Sequence, residues 1–249
     1  MAAIDLRRAV GKCGNGRWAD RASVALKSYR PLGMFLFVPR LTKHHPERGD
    51  ARTRLLDAAC DTIRAKGFAA TTVDELCRVA AVTKGSVFHH FKSKEALGVE
   101  AARYWAETTS AFFVSAPYHE PRDPLDRVLA YVAFRKSIID GELPAFTCLV
   151  GTMVQEVHAD WPAIRDACGA SIFDHAATLE ADLAAAMKDR GISGDWTAAS
   201  LARHTQAVIQ GAFVLAKAGN DAALARESLD HLDRYIRLLF AVAPTRRKR

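Results

Sequence analysis

The sequence predicts an all-α fold: an N-terminal three-helix head with a helix-turn-helix, joined through a fourth helix to a larger helical body. Three observations predict it. The stretch from Thr72 to Leu97 reads as helix, tight turn, helix and the start of a third helix, each opened by a capping residue. From Pro121 to Ala243 the apolar residues keep helical spacing between Asp, Pro and Gly punctuation, and no convincing strand occurs. The net charge of +7 is uneven, with residues 1–95 and the last four residues basic and residues 96–245 acidic. A chain with one basic end suits contact with a polyanion through that end alone.

Residues 1–48 are expected to form a disordered or loosely packed basic extension, because Gly11, Gly14, Gly16, Pro31, Gly33, Pro39 and Pro46 break every helical period. Two readings of it stand open. In one, Met34 is the working start and residues 1–33 are an upstream extension of the reading frame. In the other, the segment is a basic arm that reaches the DNA backbone. The preferred reading gives Arg40, Lys43 and Arg48 a role on phosphates and residues 1–33 none. The DNA-reading unit is expected over 49–109. Its first helix runs from Ala51 to Lys66, with Leu55, Ala59 and Ile63 inward, joined by Leu56 and Cys60. Gly67 is expected to close it as a left-handed cap, with Phe68 packing back. Thr72 and Glu75 form a capping box, so the second helix starts at Val73 and buries Val73, Leu76, Cys77 and Ala80. Ala81-Val82-Thr83 holds the turn. Thr83 caps the next helix, in which Val87 and Phe91 point inward and Lys84, Ser86, His89 and His90 lie on other faces. Ser93 caps a fourth helix reaching about Phe113. Two short helices across such a turn are what places a helix N-terminus in the major groove.

The body, 110–243, is expected to hold five helices: Asp123 to about Asp140, Phe146 to His158, a long one from Trp161 to Arg190, Trp196 to Lys217 capped by Asp195, and one from Asp221 to Pro244. A basic tail, 244–249, follows. Five cysteines (Cys13, Cys60, Cys77, Cys148, Cys168) without a CxxC pair suggest neither disulfides nor a zinc site, and a reducing cytoplasmic setting fits. The apolar run between Pro31 and Pro39 is far short of the ~20 residues of a membrane helix. No cofactor, metal or membrane partner is expected.

The head resembles the tetracycline-repressor (TetR) family of bacterial transcription regulators. The resemblance is carried by Arg54-Leu55-Leu56-Asp57-Ala58-Ala59, Gly67-Phe68, Thr71-Thr72-Val73, Val82-Thr83-Lys84-Gly85-Ser86, His89-His90-Phe91 and Lys92-Ser93-Lys94-Glu95-Ala96-Leu97. It departs at Ala81, where the family usually has glycine, and at Phe88, where tyrosine is common. A left-handed alanine in the turn would cost roughly 1 kcal/mol relative to glycine. The candidate DNA-contacting residues are Thr72, Thr83, Lys84, Gly85, Ser86, Phe88, His89, His90 and Lys94, with Lys94 on a phosphate and Lys84 at the groove-facing helix start.

The resemblance also implies a homodimer built by the last two helices, a pseudo-palindromic operator in double-stranded DNA, and a small-molecule effector in each body. The effector would release the protein from DNA, with helix 4 as the lever through Tyr104, Trp105 and Phe112. Repression by occupancy is the expected sign. Pocket candidates are Trp105, Phe146, Cys148, Gln155, Phe173 and His175, with Phe134, Met153, His158, His204 and Gln206 behind them. For each, core packing or surface exposure is the more frequent reading, and Cys148 reads more readily as core than as a sensing thiol. The rival classes are an enzyme and a helical interaction module without DNA binding. Against an enzyme, the sequence shows no Gly-rich phosphate loop, no G-x-S-x-G and no H-E-x-x-H. The basic head argues against a mere interaction module.

Overall fold

The computed structural model describes residues 50–241, and every regular element among them is helical. The readings of residues 1–48, with Met34, Arg40, Lys43 and Arg48, and of the tail 244–249 lie outside the described residues.

The head follows its capping residues. In α1 (Ala51–Lys66) the Asp50 carboxylate accepts the Thr53 N–H at 2.8 Å. In α2 (Val73–Ala80) the Thr72 hydroxyl accepts the Glu75 N–H at 3.2 Å. In α3 (Lys84–His90) Thr83 accepts the Ser86 N–H, and in α4 (Lys94–Val114) Ser93 accepts that of Ala96. Each side-chain oxygen satisfies one of the donors a helix start leaves orphaned. Two local readings change. The Glu75 carboxylate pairs with the Lys66 ammonium of α1, so the box of α2 also ties two helices together. Gly67 has φ +92° and ψ 163°, a positive φ with an extended ψ rather than a left-handed helical cap. A side chain at Gly67 would overlap the Glu156 carboxylate, which comes from the body.

Ala81 is left-handed, φ 52° and ψ 50°, and closes α2 with its N–H on Cys77 O; the Val82 N–H reaches the same oxygen at 3.0 Å. The turn therefore takes the glycine-like conformation with an alanine in it.

The body has more elements than the pattern of five. After a 3-10 turn (Pro117–His119) come α5 (Pro124–Ser137), a one-turn α6 (Leu143–Phe146), α7 (Leu149–Val157), α8 (Pro162–Ala177), α9 (Glu180–Asp189), α10 (Ala198–Gly219) and α11 (Ala222–Ala241). The helix expected to open at Phe146 opens instead at Cys148, whose Sγ takes the Gly151 N–H at 3.5 Å. The long helix expected over Trp161–Arg190 is two. The Thr178 hydroxyl donates to His175 O at 2.8 Å, and the Leu179 N–H tightens to Ala176 O at 3.1 Å, a three-residue step. Both residues keep right-handed dihedrals, so the break is a bend rather than a loop. The cap of α10 is Thr197, not Asp195, in a reciprocal box with Ser200.

Two apolar cores result. One joins the end of α4 at Phe113 to α5, α9, α10 and α11. The other starts in the head with Leu55, Ile63, Leu76 and Val87, and runs through Leu97 and Trp105 into Leu149, Met153, Ile164 and Cys168. The head thus shares its core with α7 and α8, in addition to its covalent link through α4.

Candidate nucleic-acid interface and effector cleft

The recognition element is short and anchored from below. Val87 and Phe91 are each 2% exposed and fix α3 on the head core. Thr83, Lys84, Gly85, Phe88 and His89 face outward, with Ser86 and His90 partly covered and Thr72 exposed at the start of α2. The cap hydroxyls of Thr72 and Thr83 accept backbone bonds, which leaves their own O–H groups able to donate to phosphate. A Cβ at Gly85 would meet Thr83 Oγ1 at 3.8 Å, so none of the described residues demands glycine there. The Lys84 ammonium sits 2.9 Å from Asp74, with both side chains mostly in solvent. Such an exposed pair is weak and exchangeable.

Lys94 is placed differently from the expectation of a phosphate contact. Its Nζ donates to Ala69 O at 3.2 Å and lies 4.6 Å from the centre of the Phe68 ring, and burial pulls its pKa down. The ammonium is used to close the loop between α1 and α2 onto the start of α4.

The pocket candidates are scattered. Trp105 is 8% exposed, in the head core, with the Arg64 guanidinium 4.9 Å above its ring. Phe173 is 61% exposed on α8. His175 is half-buried in the body, where the Tyr131 hydroxyl lies 2.9 Å from its Nε2 and the Phe113 ring 4.6 Å away. Burial, with the Arg135 charge, pushes its pKa to about 3, so the ring is neutral where its Nε2 meets the Tyr131 hydroxyl. Gln206 donates to the same hydroxyl at 2.8 Å. Phe134 belongs to this aromatic cluster, Met153 is fully buried, His158 is exposed and His204 packs on Tyr235.

Cys148 and Gln155 do line a cleft, of about 240 Å³, between α7 and α10. Phe146 borders it through its ring contact with Phe213, 6.0 Å between centres. The far wall is one face of α10: Gln210, Phe213, Val214 and Lys217. Gly151 allows the approach, since a Cβ there would collide with the Gln210 amide. Lys217 bridges the walls, donating to Thr152 Oγ1 at 2.8 Å; burial, then the Arg64 charge, lowers its pKa. At the floor, Arg64 Nε donates to Thr147 O at 2.8 Å. Glu156 lines the cleft and also accepts the Ala69 N–H at 3.0 Å, so one carboxylate touches both the cleft and the head.

Sequence reasoning passed over Arg64, Thr147, Glu156, Phe213 and Lys217 as site residues. One signal was present: Arg64 continues the Leu56–Cys60 spacing of four, a charge at the end of an inward stripe. The convergence of residues 64, 147 and 217 has no local signature.

Comparison with known proteins places these features. The family profile described as bacterial regulatory proteins, tetR family, matches residues 55–101, and the one described as tetracyclin repressor-like, C-terminal domain, matches residues 124–232. Together the two cover more than half of the chain. The uncharacterized HTH-type transcriptional regulator YxaF of Bacillus subtilis is 25% identical over 122 residues, 49% of this chain and 63% of that protein. The HTH-type transcriptional repressor KstR2 of Rhodococcus jostii is 42% identical over 52 residues, 21% of this chain and 26% of that protein. The chain thus spans less than two thirds of the length of these curated relatives. Among solved structures, a TetR-family regulator from Agrobacterium tumefaciens superposes with a TM-score of 0.65 at 20% identity, covering 77% of this chain and 98% of that one. The reduced form of Escherichia coli NemR gives 0.64 at 24% identity, covering 79% and 100%. At these identities the structural likeness speaks to the fold.

Proposed function

The chain belongs to the TetR family of bacterial DNA-binding transcription regulators, a family of regulators rather than enzymes, and from that premise we propose that it is a ligand-released repressor that binds a pseudo-palindromic operator as a homodimer. The observation that carries the release reading is Glu156. It lines the cleft between α7 and α10 and holds the Ala69 N–H of the loop that precedes α2. A ligand in the cleft therefore competes for, or repositions, a group that supports the helix-turn-helix.

Exposed apolar residues support the dimer. Val214 and Leu215 on α10 are 45% and 54% exposed, and Tyr235 and Leu238 on α11 are 43% and 65% exposed. Two helices presenting such residues side by side suit a bundle with a second copy. Two-fold symmetry would then set the recognition helices ~34 Å apart, one turn of the duplex. A dimer clamped across a promoter blocks polymerase by occupancy, which makes repression the proposed sign. The setting of such a regulator is the cytoplasm; no helix of the described residues is long and apolar enough to cross a membrane.

The test is a footprint on the DNA upstream of the protein's own gene, followed by a screen of compounds for release. A protected two-fold site that is lost on adding a compound supports the reading. Binding that no compound alters, with a reporter that rises rather than falls when the protein is present, overturns repression by release.

A further inference from the structure

We propose that the cleft between α7 and α10 takes a small organic acid, with its carboxylate held by Lys217 and Thr147 in the field of Arg64. This rests on reading the cleft as the effector site and adds the chemical class of the effector. The argument starts from unmet bonding capacity. Thr147 is 1% exposed, lines the cleft, and its Oγ1 has no hydrogen-bond partner among the described residues. Arg64 is 2% exposed, and its Nη1 likewise has none, while its Nε is spent on Thr147 O. Buried polar atoms are seldom left so, and each costs the protein the desolvation of the group. The two residues are in direct contact, and Thr147 Oγ1, on the cleft wall, can donate to an acceptor placed there.

Charge points the same way. Lys217 and Arg64 repel each other across this region, and that repulsion adds to burial in lowering the Lys217 pKa. Among the described residues, the hydrogen-bond partner of Lys217 is the neutral Thr152 hydroxyl. Behind Phe213 lies a third cation. Arg135 is 9% exposed, and its guanidinium faces the rings of Phe113, Phe213 and Tyr131 at 5.1, 5.8 and 6.0 Å. The nearby carboxylates are Asp61, which favours the charged form of Arg64, and Glu156, which is engaged with the Ala69 N–H. Three cations against two carboxylates, at the edge of a low-dielectric core, favour an anion. A carboxylate in the cleft supplies an acceptor for Thr147 Oγ1 and a charged partner for Lys217, with Arg64 close behind Thr147.

Size and lining fix the rest of the molecule. A cleft of about 240 Å³ is below the usual volume of a pocket for a drug-sized ligand. The Phe213 ring on one wall, backed by Phe146, offers an apolar face. A single-ring or short-chain acid meets these conditions, and benzoate is a suitable probe.

The experiment compares benzoate with benzamide, which has nearly the same shape and no charge, by calorimetry on the DNA-free full chain. The expected result is that benzoate binds about tenfold or more tightly than benzamide, the gain of one charge-assisted contact. Lys217→Met is expected to abolish most of that preference, and Thr147→Val to weaken benzoate alone. Equal binding of acid and amide by the wild type overturns the anion assignment without any variant, as does no detectable binding of benzoate. Benzoate preference that survives in Lys217→Met overturns the placement. Operator titration with benzoate is read separately. Binding without release would leave the acid site standing and defeat the release reading.

Discussion

At the scale of single residues, Ala81 and Gly85 separate a folding role from a proposed DNA contact. Ala81 holds φ 52° in the turn, a conformation that costs an L-residue with a Cβ roughly 1–2 kcal/mol. Ala81→Gly is expected to raise stability by about 1 kcal/mol after glycine's own entropy loss is set against the relief, visible as a higher urea midpoint with unchanged slope. Gly85 behaves oppositely. A methyl group has room there within the protein, and alanine is the better helix former by about 1 kcal/mol. Gly85→Ala should therefore leave stability equal or higher and, if Gly85 lies against DNA as proposed, weaken operator binding in a gel shift, because among the described residues it introduces no crowding. His175 adds a pH term. Its folded pKa of about 3 lies below the usual 6.5, so the unfolded chain takes up a proton that the folded one refuses. The stability it contributes is complete above pH 6.5 and is lost as pH falls toward 3, at up to ~1.4 kcal/mol per unit. His175→Gln should flatten that slope between pH 6 and 4 in denaturant titrations. A slope equal to wild type would show that the ring is solvated.

At the scale of elements, the proposed release by a ligand could travel from cleft to head by two routes. Helix α4 is one, as its covalent position requires. The other is α7, whose Glu156 meets the loop after α1, together with the bond from Arg64 of α1 to Thr147. Trp105 is a poor probe of either. It is nearly buried under Arg64, and truncating it would cost about 3–5 kcal/mol as a cavity. Glu156→Ala is the cleaner test. The ratio of operator affinities with and without effector is expected to move toward one, because a ligand can shift an equilibrium only through contacts that differ between the two states. A ratio equal to wild type would assign the signal to α4 alone.

Three helices of the head were legible because each begins at a side chain that caps it, Thr72, Thr83 and Ser93; Asp50 caps α1 in the same way, a role that sequence reasoning did not assign. The bend at Thr178 was not legible, since a threonine bonding back to His175 inside an alanine-rich run leaves no break in the apolar period. The cleft was half legible. Cys148 and Gln155 stood out as polar positions in an apolar helix, whereas Arg64 and Lys217 reach it only through packing of α1 and α10 against α7.

At the scale of the whole molecule, the large apolar side chains left in solvent on α10 and α11 set a condition on DNA binding. Leu238 is 65% exposed and Leu215 54%, and neither contributes much to the core of its own chain. Leu238→Glu is therefore expected to leave the subunit folded, with a thermal midpoint near that of the wild type. In a two-fold bundle the same change places a carboxylate in the apolar seam twice, once from each copy, and a buried unpaired charge is far more costly than an exposed one. Sedimentation should then show a monomer at concentrations where the wild type is a dimer. The consequence for DNA follows from geometry. Each head alone offers a seven-residue recognition helix, and the second head binds as an intramolecular event whose advantage is commonly 10²–10⁴-fold. Loss of the dimer should lower operator affinity by about that factor while leaving nonspecific, salt-sensitive binding of each head in place. A Leu238→Glu protein that remains dimeric and binds the operator as tightly as the wild type would move the dimer interface off α11.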